Sequence, residues 1–180
     1  MVFGIFNASK KSSLSNLIIE VSEENVFVNC ERELKVKGYD KYYNPVEVDI
    51  DDIKWSTSGV EGEIKDGKLI AGNQAGTIEI TAQKGKAKAT TYIDILSMPN
   101  EITIDPKTSY IEKNEKITFN ITAKNKNGYY ASIKNSELNW NIISGDGILE
   151  NGIYAPSKEG IHLIEVSCRK CKILCYYQRC

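Results

Sequence analysis

The chain has 180 residues, 41% of them hydrophobic and 26% charged, with a formal net charge of −1. That is enough apolar material for a packed core, and it argues against disorder. The near-neutral balance gives no electrostatic reason to expect nucleic acid or an anionic membrane as a partner. One histidine, His162, excludes a site built on paired histidines. No apolar run approaches the ~20 residues that cross a bilayer, so membrane insertion is not expected. The start, Met1-Val-Phe-Gly-Ile-Phe, lacks a basic leader, so an export signal is expected to lie outside this chain.

In chain order the apolar residues alternate with a period of two. Leu17–Val21 is a short apolar strand. Leu34-Lys-Val-Lys-Gly38 alternates, and Ile53-Lys-Trp-Ser56 alternates around a tryptophan. Asp66-Gly67 is a two-residue hairpin signal leading into Lys68–Ala71. Thr77–Ala82 alternates, Lys84-Gly85 turns the chain, and Ala89–Ile95 alternates again. No segment carries an i, i+3, i+4, i+7 stripe, so no long helix is expected. Short strands with closely spaced turns, rich in Val, Ile, Thr and Tyr, predict an all-β sandwich.

The second half repeats the first. Trp55 and Trp140 are separated by 85 positions, as are the hairpin signals Asp66-Gly67 and Asn151-Gly152. Leu34 and Val36 map onto Phe119 and Ile121 at the same offset, and Gly76 falls within one residue of Gly160. Agreement of separate features on one period marks an internal repeat. The expected division is residues 15–97 and 98–180, joined at Ser97-Met-Pro-Asn100, with 1–14 as the remnant of a preceding domain or linker. Trp55 and Trp140 are the expected core anchors of two tandem immunoglobulin-like β-sandwich modules. The Cys…Trp…Cys pattern of antibody domains is absent, so the modules are expected to hold by packing.

The segments Leu34–Val46 with Gly38-Tyr-Asp40 and Asn44-Pro-Val46, Trp55-Ser56, Asp66-Gly-Lys-Leu-Ile-Ala71 and Ala75-Gly-Thr77 with Ile80-Thr-Ala82 together resemble bacterial Ig-like repeats. This variant resembles modules that follow the catalytic domain of secreted phosphodiester glycosidases, enzymes similar to N-acetylglucosamine-1-phosphodiester α-N-acetylglucosaminidase. The resemblance implies an extracellular or cell-surface location and an adjacent catalytic domain. The residues of that chemistry would belong to the other domain, and none transfers to a position here.

The candidate sites are few. Tyr39, Tyr42 and Tyr43 in the first copy, and Tyr129 and Tyr130 in the second, could stack on sugar or anchor a protein; alternatively they cover the sandwich ends. Asp40, Asp49, Asp51 and Asp52, beside Glu47, could form a calcium site, or simply a solvated loop. His162 alternates onto an outer face with Ile164 and Val166 if its strand is regular, and it has no nucleophile nearby in sequence. Cys168-x2-Cys171-x3-Cys175-x4-Cys180 has the look of a thiolate cluster, but its spacing matches neither a zinc ribbon nor a ferredoxin run. These cysteines stand where the second copy needs its last strand, which makes the strand doubtful from residue 168. An out-of-frame ending is one reading of that tail, and it would leave an exposed sheet edge.

The functional expectation is a non-catalytic spacer that binds no cofactor and is monomeric. Cell-wall polysaccharide or an adjacent catalytic domain would be its partner. The alternatives are an adhesin-like or carbohydrate-binding module and, third, a metal-binding protein built on the cysteine tail.

Overall fold

The computed structural model describes residues 13–112, 115–168 and 171–179, the last segment by its backbone alone. The first module contains β1 (Asn16–Val21), β2 (Asn25–Phe27), β3 (Glu31–Tyr39), β4 (Pro45–Val46), β5 (Lys54–Gly59), β6 (Gly62–Lys65), β7 (Lys68–Ala71), β8 (Gly76–Lys84) and β9 (Ala87–Leu96), with a 3₁₀ turn at Ile50–Asp52. One sheet runs β1-β3-β7-β6, with β4 on the flank of β3; the other runs β2-β9-β8-β5. All pairs are antiparallel except β2 with β9.

The alternation read from the residues sets which side of each strand is buried. Ile78, Ile80 and Ala82 of β8 are fully buried, and Ile93 and Ile95 of β9 join them. Leu34, Leu69 and Ala71 meet them from the opposite sheet. The β6–β7 hairpin needs two successive left-handed residues, supplied by Asp66 (φ 49°) and Gly67 (φ 69°). A Cβ at Gly67 would lie 2.6 Å from Ile50 Cδ1, the mobile end of that side chain, so the left-handed φ is what favours glycine there.

The second module contains β10 (Pro99–Asp105), β11 (Thr108–Ile111), β12 (Ile117–Thr118), β13 (Asn120–Asn125), β14 (Tyr130–Ser132), β15 (Asn139–Ser144), β16 (Gly147–Glu150), β17 (Ile153–Pro156), β18 (Gly160–Cys168) and β19 (Cys171–Arg179). Its sheets run β10-β13-β14, β12-β17-β16 and β11-β19-β18-β15. The elements recur at the period of the sequence. Lys54–Gly59 returns as Asn139–Ser144, Gly62–Lys65 as Gly147–Glu150, Lys68–Ala71 as Ile153–Pro156 and the 3₁₀ turn as Asn135–Glu137, each 85 residues on. The hairpin repeats with Asn151 (φ 48°) and Gly152 (φ 77°). Strand β3 has no unbroken equivalent, because its counterpart divides at Phe119 into β12 and β13. The chain is all-β, two immunoglobulin-like sandwiches in tandem.

Two expectations meet the structure differently. The place of the last strand is filled: the backbone of β19 pairs antiparallel with β18 and parallel with β11. The side chains of residues 169–180, on which the out-of-frame reading falls, lie outside the described residues. His162 is a correction. It is 2% exposed and faces inward with Ile164 and Val166, whereas Ile161 faces out at 65% exposure. Burial is tolerated because both ring nitrogens are engaged, Nδ1 with Tyr154 Oη at 2.6 Å and Nε2 with the Lys158 carbonyl at 3.0 Å.

Candidate functional site

The first tyrosine loop is built by one carboxylate. Asp40, 7% exposed, accepts hydrogen bonds from the Tyr42 amide (2.8 Å), the Asn44 amide (2.9 Å) and Asn44 Nδ2 (3.0 Å). These donors, the Asn44 side chain above all, hold the Asp40 carboxyl below the usual carboxylate range despite its burial. The turn forces Tyr43 to φ 63° and leaves Tyr42 and Tyr43 above 70% exposure. The Tyr43 ring tilts against Tyr39 at 6.3 Å, and Lys41 Nζ lies 4.7 Å from the Tyr42 ring centroid.

The second module closes its equivalent loop the same way. Asn125, 3% exposed, accepts from the amides of Asn127 (2.9 Å) and Tyr129 (3.1 Å) through Oδ1. Gly128 (φ 87°) stands where the first module has Tyr43. Tyr129 and Tyr130 are more than half exposed. The two sets of tyrosines are not brought together. Tyr39 borders a groove formed with Val36, Pro45, Val46 and Val48. Tyr129 borders a cleft of about 500 Å³ between the modules, opposite Thr77 and Asp94.

The acidic residues do not converge either. Asp40 closes its own loop; Asp49 Oδ1 accepts from the Asp51 amide (3.1 Å), capping the 3₁₀ turn; Asp52 pairs with Lys84 at 2.7 Å. Among the described residues no three His, Cys, Asp or Glu side chains are grouped to hold a metal ion. Of the tail cysteines, Cys168 is half-buried against the second core; the side chains of Cys171, Cys175 and Cys180 lie outside the described residues. Trp55 and Trp140 flank their cores half-buried. Trp140 stacks on Phe119 with centroids 5.5 Å apart and donates Nε1–H to the Asn135 carbonyl at 3.1 Å. His162 is sealed from solvent, so it offers no proton to a substrate.

The densest polar geometry lies where sequence reasoning named no site, at the joint between modules. Arg32, 6% exposed, reaches the Asn25 carbonyl (2.7 Å), Glu23 Oε2 (3.0 Å) and, across the joint, Ser132 Oγ (3.2 Å). Glu23 Oε2 also accepts from the Ser132 amide (3.0 Å), and Asn25 Nδ2 donates to the Tyr130 carbonyl (3.1 Å). The Glu31 amide donates to Glu137 Oε1 (3.2 Å), while Lys134 lies 3.6 Å from Glu33 and 4.0 Å from Glu31. Beneath them, Phe27 and Leu96 of the first module belong to the core of the second. The available signal was parity: Arg32 alternates in phase with Leu34, a charge on the buried side of its strand.

No family model matches the chain, and no curated protein matches it. Among solved structures it is similar to domains 4 and 5 of the S-layer protein SbsC, at 14% identity and TM-score 0.41, over 93% of this chain and 99% of that one. Against the longer S-layer structure rSbsC(31-844), at 16% identity and TM-score 0.41, it covers 95% of this chain but only 28% of the other. It is also similar to the Escherichia coli adhesin FdeC, at 13% identity and TM-score 0.39, over 94% of this chain and 66% of that one. Likenesses at this level assign neither family nor function.

Proposed function

We propose that this chain is a non-catalytic spacer at the cell surface or outside the cell, holding neighbouring domains at a set distance and angle. The observation that carries the reading is the joint. A connection as short as Ser97-Met98 joins strands whose modules share a core through Phe27 and Leu96 and are tied by the Arg32–Glu23–Ser132 contacts. Linked domains with a small polar contact move freely; a shared apolar core, with the buried Arg32 hydrogen-bonded across the joint, opposes that. Residual dipolar couplings test it. One alignment tensor should fit both modules, and Arg32→Ala should split it; two independent tensors in the unaltered chain would remove the spacer reading. Attachment to a phosphodiester glycosidase-like domain rests on the sequence resemblance alone, and the coding sequence upstream is its test.

A second reading, a carbohydrate-binding pair, is favoured by the inter-module cleft. Its volume is within the ~300–1,000 Å³ of small-molecule sites. Ser97 lines it with a buried Oγ that has no hydrogen-bond partner among the described residues, and the exposed Tyr129 ring supplies a flat apolar face beside the Asp94 carboxylate. Binding of neutral cell-wall polysaccharide that is lost in Tyr129→Ala would favour this reading. Loss in Tyr39→Ala or Tyr42→Ala instead would place binding on the first loop. No binding at all would leave the spacer reading alone.

A further inference from the structure

The repeat makes a statement about a surface that the described residues leave uncovered. Every residue of the second module that meets the first has a counterpart 85 positions earlier. Ala131 and Ile133 are 4% and 8% exposed, in the core that includes Phe27 and Leu96. Their counterparts, Val46 and Val48, are half-buried, Val48 against the Leu17–Ile53 cluster, and line an open groove with Tyr39 and Pro45. Tyr130, Ser132, Lys134 and Glu137, which receive the contacts of the first module, correspond to Pro45, Glu47, Asp49 and Asp52. The tyrosine loop and the acidic residues thus fall on one face, the one that in the second module is a docking face.

The trailing end of the second module carries matching chemistry. Across the joint, Glu31 of the first module lies against Lys134. Glu31 corresponds to Lys116 and Lys134 to Asp49, so the same placement in a second copy would restore the pair with its signs reversed. Asn25, which donates to the Tyr130 carbonyl, corresponds to Tyr110, 77% exposed, which would lie on Pro45. Glu112 stands in the place of Phe27, which makes this second contact more polar and weaker than the joint within the chain.

We infer that the leading face of the first module, around Val46, Val48 and Asp49, docks the trailing end of the second module of another copy, around Tyr110 and Lys116. This rests on the spacer reading and extends it: the contact is head-to-tail, and such a contact propagates into open chains of copies unless a rotation closes it. The affinity is low. A short connection supplies an effective concentration on the order of mM, so a joint within a chain needs no tighter contact, and copies should associate only as they approach that range.

Sedimentation velocity of the full chain at low salt tests the inference. The mass of the unaltered chain should rise with concentration toward ~1 mM. Lys116→Glu with Tyr110→Ala, both exposed positions, should stay monomeric. Asp49→Asn with Glu47→Lys should stay monomeric too, with asparagine keeping the cap of the 3₁₀ turn. An equal mixture of the two variants should form a dimer and stop there, because each retains one good face. A chain that stays monomeric throughout, or association that survives in either variant alone, overturns the inference. The spacer reading stands or falls separately, on the dipolar couplings within one chain.

Discussion

Replacing Phe27 by alanine should destabilise the second module, though the residue belongs to a strand of the first. Phe27 is fully buried, pairs with Leu96 in β2–β9 and packs into the core built around Phe119, Tyr154 and Ile164. A fully buried phenylalanine truncated to alanine costs ~3–5 kcal/mol. The two tryptophans allow the cost to be located, since Trp55 sits on the first core and Trp140 on the second. In single-tryptophan versions followed by urea unfolding, the Trp140 midpoint should fall by roughly 1–5 M, given slopes of about 1–3 kcal/mol per M for small domains. Phe119→Ala, equally buried but wholly within the second module, is the control and should move the Trp140 signal alone. If Phe27→Ala lowers the Trp55 midpoint and leaves Trp140 unmoved, the shared core does not exist as an energetic unit.

Tyr154→Phe removes a hydroxyl that meets His162 Nδ1 at 2.6 Å and the Asp146 carbonyl at 3.2 Å; the carbonyl keeps the Ser157 amide, whereas the buried imidazole nitrogen loses its partner. A loss of about 1–3 kcal/mol is expected by thermal or urea unfolding. Tyr43→Gly should stabilise the first module and Gly128→Tyr should destabilise the second, each by ~1–2 kcal/mol in the same assay, because both positions have positive φ and only glycine takes it without strain. The carboxyls of Asp40 and Asp146 are both lowered, by the hydrogen bond from Asn44 and by the hydrogen bond from Lys158 respectively. A folded-state pKa below the unfolded one gives stability that is complete above the unfolded value, about 3.9, and lost as pH falls through the folded value. Unfolding midpoints should therefore change little between neutrality and pH ~5 from these groups and decline below pH ~4, with Asp40→Asn showing a shallower decline.

The strand pattern, the hairpins at Asp66-Gly67 and Asn151-Gly152 and the 85-residue period were legible because each is local: alternation and turn chemistry depend on a few neighbouring residues. The side assigned to His162 differs because β18 is apolar at both parities, and the deciding partners, Tyr154 and the Lys158 carbonyl eight and four residues earlier, are brought to the ring by the turn between β17 and β18 rather than by alternation within β18. The joint was invisible for a related reason. Arg32 and Ser132 meet across 100 residues, and nothing in either neighbourhood marks the contact except a charge on the buried side of β3. The acidic residues show the converse. Their closeness in sequence suggested a shared ligand, yet the carboxylates of Asp40, Asp49 and Asp52 turn to three separate sets of partners.

The parallel pairing of β2 with β9, repeated by β11 with β19, bears on how these modules would respond to being pulled. In each, a strand near the beginning of the module lies beside its final strand, both running the same way. Tension applied through the two ends slides such strands along each other, so their hydrogen bonds resist together rather than parting one at a time from an edge. Forced unfolding is governed by the rate of crossing that barrier rather than by equilibrium stability. Modules pulled in this way would draw their tensile strength from these two short pairings.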